Sequence, residues 1–199
     1  MTAQDIIRIA QKEIGTCERP ANSNNVKYNT WYYGKEVSGA SYPWCAVFIS
    51  WLFKSNPLLC KKTASCAEML EWFERNGQLV GKPQPGDIVF FKYSTNSRRT
   101  NHVGLVIEVK GNTITTIEGN TSATSQDNGG KVLRRTRKSN IVAYARPKYE
   151  SVQRKPISEI ALEVINGEWG YGNDRRQRLT RAGYNYTEVQ AEVNRLLST

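Results

Sequence analysis

The chain has 199 residues, 23% of them charged and 39% hydrophobic, which suits one full core with a small extra module. No apolar stretch approaches the ~20 residues that cross a bilayer, which excludes an integral membrane helix. Met1-Thr2-Ala3-Gln4-Asp5 has neither the basic start nor the apolar centre of a signal peptide, so synthesis in a cytoplasm is expected. The net charge of +10 is carried by the front of the chain: residues 1–149 hold 21 Lys+Arg against 11 Asp+Glu, and residues 150–199 hold 7 of each. Such a body seeks a polyanion, whether nucleic acid, an anionic membrane surface or an anionic cell wall. Four cysteines (Cys17, Cys45, Cys60, Cys66) form no CxxC pair, and with His102 as the single histidine they leave no zinc set. Reduced thiols are the expectation in a cytosol, although Cys60 and Cys66 are near enough in sequence to bridge.

Thr2 with Asp5 reads as a capping box opening a helix whose face is Ala3, Ile6, Ala10 and Ile14 and which ends at Gly15. Pro20 to Gly39, rich in Asn, Tyr and Ser, reads as a long loop. Pro43 introduces an apolar helix from Cys45 that stops near Asn56-Pro57. Ser65 with Glu68 caps another, carrying Cys66, Met69, Leu70 and Phe73 and ending at Asn76-Gly77. After Pro85-Gly86 the period changes to that of strands: Ile88 to Phe91, Val103 to Val109, Thr113 to Glu118 and Ile141 to Ala145. Loops at 94–101 and 121–130 are polar and expected to be mobile. The basic run Arg134-Arg135-Thr136-Arg137-Lys138 has no interleaved aromatics and reads as a solvated strand edge rather than a nucleic-acid site. Helices followed by a mostly antiparallel sheet define an α+β fold. Pro147 to Pro156 reads as a linker, and Ile157 to Ile165, Asp174 to Ala182 and Thr187 to Leu197 as a small three-helix bundle.

Cys45 is the candidate nucleophile. In a first helical turn, unpaired N–H groups and the helix dipole favour a thiolate, and an imidazole supplies the base. Taken singly, each candidate has a plain alternative: a buried structural cysteine, a satisfied strand histidine, a solvated strand-end Glu118.

Four blocks stand in order: Tyr42-Pro43-Trp44-Cys45-Ala46-Val47-Phe48, Pro85-Gly86-Asp87-Ile88-Val89-Phe90-Phe91, His102-Val103-Gly104 and Ile117-Glu118-Gly119-Asn120-Thr121. Together they resemble the CHAP domain, a family of cysteine amidohydrolases and peptidases in the papain-like, NlpC-type superfamily, over residues 1–148. The tail, from Val164-Ile165-Asn166-Gly167-Glu168-Trp169-Gly170 through Asp174-Arg175 to Ala182-Gly183-Tyr184, resembles the CPL-type cell-wall-binding repeat over residues 157–197. The resemblance implies a papain-like catalytic domain at 1–148, a linker at 149–156 and a wall-binding repeat at 157–199. It implies Cys45 as nucleophile, His102 as base and then acid, and Glu118 as the group that orients the imidazole, with Asn120 assisting or replacing it. In the tail it points to Trp169, Gly170, Asp174, Arg175, Leu179 and Tyr184 as wall contacts, although Trp169 and Tyr184 also suit the core of so small a bundle.

The pair of domains resembles a phage or prophage endolysin: a peptidoglycan hydrolase cutting an amide bond of a Gram-positive wall, either sugar-to-alanine or within the peptide. Such an enzyme is made in the host cytoplasm and acts on the wall after release. A bacterial autolysin or secreted effector of the same chemistry, or an inactive wall-binding protein, are the alternatives. The expected partners are peptidoglycan and anionic wall polymers, not nucleic acid. Some relatives carry an Asp-rich calcium loop before the cysteine; here that stretch, Asn22-Ser23-Asn24-Asn25-Val26-Lys27-Tyr28, has no carboxylate, so neither metal nor cofactor is expected. A single tail repeat leaves room for oligomerisation or for the basic body to strengthen binding.

The triad also constrains strand register. A two-residue turn at Gly111-Asn112 that paired Leu105 with Glu118 would send His102 and Glu118 to opposite faces. A three-residue loop, or a bulge of the same effect, pairs Gly104 with Glu118 and His102 with Asn120. It places His102, Glu118 and Asn120 on one face and Val103, Leu105, Ile107, Val109 and Ile117 on the other.

Overall fold

In the computed structural model, α1 (Ala3–Lys12), α2 (Lys27–Tyr33), α3 (Cys45–Leu52) and α4 (Cys66–Arg75) precede six strands. The strands are β1 (Leu79–Val80), β2 (Ile88–Phe91), β3 (His102–Lys110), β4 (Thr113–Thr121), β5 (Lys131–Arg137) and β6 (Ile141–Ala145). They form one antiparallel sheet ordered β1-β6-β2-β3-β4-β5. The structure describes residues 1–96, 99–125, 128–150 and 155–198. Residues 97, 98, 126 and 127, from the two loops expected to be mobile, and 151–154 of the expected linker lie outside it. The chain divides into two compact units, 1–151 and 152–199. The α+β class expected from the sequence is the one observed.

The local signals explain most of the first unit. Thr2 and Asp5 form a complete capping box on α1. The buried face of α1 is Ile6, Ile7 and Ala10; Ile14 lies past the helix end and is exposed, contrary to the pattern read from sequence. The Pro20–Gly39 loop contains a helix, α2, that the sequence does not announce. Its start has no side-chain cap, and it is held by burial of Tyr28 and Asn29, so tertiary packing rather than propensity makes it. Ser65 caps α4, but the reciprocal half of its box is missing: Glu68 turns to Thr63 and Lys61 instead. One face of the sheet joins the helices around Phe48, Ile49, Leu52, Phe73, Phe90 and Leu105. The other carries a smaller cluster of Val89, Phe91, Val106 and Ile114.

The β3–β4 hairpin reaches the expected register by the second of the two routes, a bulge rather than a three-residue loop. Its turn is the two-residue one, with Lys110 opposite Thr113 and Val109 opposite Ile114. A bulge at Ile107 then adds one residue to β3, so that Val106 faces Thr116 and Leu105 faces Ile117. Carried one step further, this register sets Gly104 against Glu118, and a methyl group on Gly104 would lie 2.7 Å from Glu118 Cγ. The bulge has a second consequence. Val109, grouped above with Val103 and Leu105, joins the opposite face beside Val106.

The second unit is a three-helix bundle of α5 (Ile157–Ile165), α6 (Gly172–Arg181) and α7 (Tyr186–Leu197). Its core is Ile160, Ala161, Val164, Leu179, Val189 and Val193.

Candidate active site

Cys45 is the first residue of α3, a helix whose residues are buried on nearly every side and which is therefore fixed in the middle of the core. The preceding residue, Trp44, is the N-cap and anchors the helix start. Its ring stacks on Tyr28 at 5.4 Å between centroids, and its Nε1 donates to Glu18 Oε1 at 2.7 Å. Further along α3, the Ser50 hydroxyl donates to the carbonyls of Lys61 and Thr63 and accepts from the Thr63 N–H, which ties the segment leading into α4 to α3. That tie brings a second helix start to the same place. Cys66, the first residue of α4, puts its Sγ 3.4 Å from Cys45 Sγ. All four cysteines are free thiols.

His102 opens β3, opposite Phe91 of β2. Its ring is fully buried, and Nε2 lies 2.9 Å from Glu118 Oε2. With Nε2 committed to Glu118, Nδ1 is the nitrogen left for Cys45; it has no other hydrogen-bond partner. Glu118 is fully buried too, and its oxygens are saturated. Arg137 Nε and the Thr116 hydroxyl donate to Oε1 at 2.9 and 2.5 Å, and Arg137 Nη2 donates to Oε2 at 2.5 Å. Gly119, next in β4, points the other way. A methyl group there would strike Phe48 and Trp44 at 2.6–2.8 Å, so glycine allows β4 to press against the nucleophile's helix.

The electrostatics follow from these contacts. The Cys66 hydrogen bond draws the Cys45 thiol well below its ordinary pKa; burial opposes this, and His102 and the Ala46 N–H add to it. Cys66 moves the opposite way, pushed up by the charge it supports on Cys45 and by burial. Burial alone would lower the pKa of His102, but the partners Cys45 and Glu118 outweigh it and raise it from 6.5 to about 9. Burial likewise favours a neutral Glu118, and the bonds from Arg137 and His102 reverse that, bringing its carboxyl down to about 2. All three shifts favour the charged forms: thiolate, imidazolium and carboxylate.

Cys45 opens onto a cleft of about 310 Å³ whose lining includes Glu18, Asn22, Asn24, Asn101 and Asn120. Asn120 sits at a break in the β4–β5 ladder with φ 54°, and its Oδ1 is buried without a partner beside the cleft. The imidazole is held by Glu118, and Asn120 does not replace it in that role. Sequence reasoning missed two neighbours of the site. Cys66 had a readable signal, since it too begins a helix behind a capping serine. Arg137 had none: it belongs to a run that is otherwise half-buried or exposed, yet it is itself buried.

In the second unit, Trp169 Nε1 donates to Glu163 Oε2 at 2.8 Å, and its ring meets Tyr184 edge-on at 6.0 Å. Arg175 Nε donates to the Gly170 carbonyl at 3.0 Å, and Asp174 pairs with Arg178 at 2.8 Å. Leu179 is the one buried residue of α6 and belongs to the core, so it offers no surface for a wall contact.

The α+β frame thus brings a thiol at a helix start together with an imidazole–carboxylate pair from β3 and β4. Residues 37–120 match the CHAP domain family and residues 158–197 the CW_7 repeat family. Solved structures described as "The crystal structure of Ly7917" and "The crystal structure of Ly7917 with the hydrolyzing product of MDP" are similar at 15% and 14% identity. The matched regions cover 74% and 73% of this chain and 63% of those chains, each with a TM-score of 0.46. The chain thus spans less than two thirds of their length. No curated protein matches the sequence.

Proposed function

We propose that this protein is a peptidoglycan hydrolase of the endolysin type, which cleaves an amide bond of a Gram-positive cell wall through a Cys45 thioester. The observation that carries the reading is the buried Cys45–His102–Glu118 constellation inside a CHAP domain. The Cys45 thiolate attacks the amide carbonyl, and the electron pair moves onto oxygen. The Cys45 N–H, at the first position of α3, is the donor assigned to that oxyanion in this reading. His102 then gives its proton to the departing amine as the C–N bond breaks, leaving an acyl thioester. Water, deprotonated by His102, releases the acid and restores the thiol.

The match to the CW_7 repeat supports the wall as substrate, with Trp169 and Gly170 of the α5–α6 turn, Asp174 and Arg175 of α6 and Tyr184 of the α6–α7 turn as its contact region. The charge of the front unit suits the anionic polymers of such walls. Among the described residues no helix is long and apolar enough to cross a membrane, and on this reading the protein meets its substrate outside one.

The test is digestion of purified walls, followed by mass spectrometry of the new amine ends. A new amine on alanine next to the sugar identifies an amidase, and one within the stem or cross-bridge an endopeptidase. Cys45→Ser should bind walls without releasing either. New reducing sugar ends with no new amine, or lysis by Cys45→Ser, would overturn the proposal.

A further inference from the structure

We propose that Arg137 is a positioning residue of the active site: its guanidinium locks Glu118 in the rotamer and charge state that hold His102 against Cys45. The inference rests on the thiol mechanism proposed above, and it extends that mechanism from three residues to four.

The geometry is specific. Arg137 comes from β5, the edge strand, where it lies opposite Ile114, four residues along β4 from Glu118. Its side chain runs back along the sheet to reach Glu118 with two parallel bonds, Nε to Oε1 at 2.9 Å and Nη2 to Oε2 at 2.5 Å. Phe91 and Tyr93 flank the guanidinium carbon at 5.4 and 5.3 Å from their ring centroids. Only 4% of Arg137 is exposed, whereas its neighbours Thr136 and Lys138 are solvent-facing. A planar fork fits a carboxylate in this way, and lysine does not reproduce it.

The chemistry gives the fork a task. Glu118 must present Oε2 to the imidazole as an anion, in a site where burial favours the neutral acid. The groups that bear on it are His102 from β3, the Thr116 hydroxyl from its own strand, and Arg137 and Arg135 from β5, with the Tyr93 ring against Arg137 and Cys45 across the imidazole. Of the charged groups among these, only His102 and Arg137 bond to the carboxylate, and His102 is the group being positioned. Arg137 also shares the negative charge, so the carboxylate holds the imidazolium without removing its ability to release a proton to the leaving amine.

The experiment compares Arg137→Met, Arg137→Lys and Glu118→Gln, singly and as Glu118→Gln/Arg137→Met, in the full chain. Two readouts are used: wall lysis, and the pH dependence of Cys45 alkylation by iodoacetamide, followed at its peptide by mass spectrometry. The second needs no substrate, so it reports on Arg137 even if the wall is not the substrate. Arg137→Met should lower lysis by about 10²-fold and move the acid limb of alkylation to higher pH, because Glu118 then protonates more easily. Arg137→Lys should recover part of the rate. In the Glu118→Gln background, Arg137→Met should cost less than threefold, because its partner is already gone. The double variant also removes both charges, so it remains informative if Arg137→Met alone fails to fold. An unchanged alkylation profile in Arg137→Met, or an undiminished loss in the Glu118→Gln background, would overturn the inference. Failure of wild-type lysis with the alkylation shifts intact would overturn the proposed substrate and leave Arg137's role standing.

Discussion

Gly104→Ala is the sharpest probe of how β3 and β4 cooperate. The added methyl group would lie 2.7 Å from Glu118 Cγ, where ordinary contact begins near 3.4 Å, so something must move by roughly 0.7 Å or more. Glu118 cannot yield cheaply, because Arg137, Thr116 and His102 hold its carboxylate by four hydrogen bonds. The displacement therefore falls on the Glu118–His102 bond. Overpacking of this kind typically costs about 1–3 kcal/mol of stability. A misplacement approaching 1 Å at a reacting centre costs on the order of 10²-fold in rate. The pH profile adds a signature. Glu118 is one of the two partners that raise His102 to about 9, so weakening it should bring the alkaline limb of activity down towards 6.5. Urea denaturation and wall lysis across pH measure all three effects. Gly81→Ala is the control: nothing lies within 4 Å of its added methyl, and both rate and stability should stay within ~0.5 kcal/mol of wild type. A Gly104→Ala protein with wild-type stability, or with reduced rate and an unmoved alkaline limb, would refute the reasoning.

The wild-type rate should rise with pH as Cys45 ionises, well below the usual thiol range, and fall through about pH 9 as His102 loses its proton; stopped assays at fixed ionic strength check this. Glu118 is lowered from 4.5 to about 2 on folding, so its contribution to stability is full above 4.5 and lost as pH falls through about 2, which acid denaturation of Glu118→Gln against wild type measures. Cys66→Ala should keep activity but shift the acid limb to higher pH, since the hydrogen bond from Cys66 is the largest influence lowering Cys45; Cys17→Ser should leave the limb in place. Wall binding by residues 1–149 should weaken as salt screens their +10 charge over ~8 Å, while the neutral 150–199 fragment should bind with little salt dependence; sedimentation with walls at graded salt decides it.

The sequence by itself determined the elements with strong local signals. The caps at Thr2 and Ser65, the apolar helix from Cys45 and the alternating strands at Ile88 and Val103 are all as the residues predict, because capping and periodicity act within a few residues. It also required that Glu118 share a face with His102, since a period of two admits only two answers. How that face was reached lay with the tertiary structure. The bulge at Ile107 corrects a two-residue turn and carries Val109 to the opposite side, and no local residue signals it. The helix at Lys27–Tyr33 forms because Tyr28 and Asn29 are buried by neighbours distant in sequence. The same holds for the two residues that complete the site. Cys66 meets Cys45 because Ser50 ties two helices together, and Arg137 meets Glu118 because an edge strand folds one long side chain inward from a run of solvated ones. Pairings of this kind depend on distances across the fold, which the order of residues along a chain does not contain.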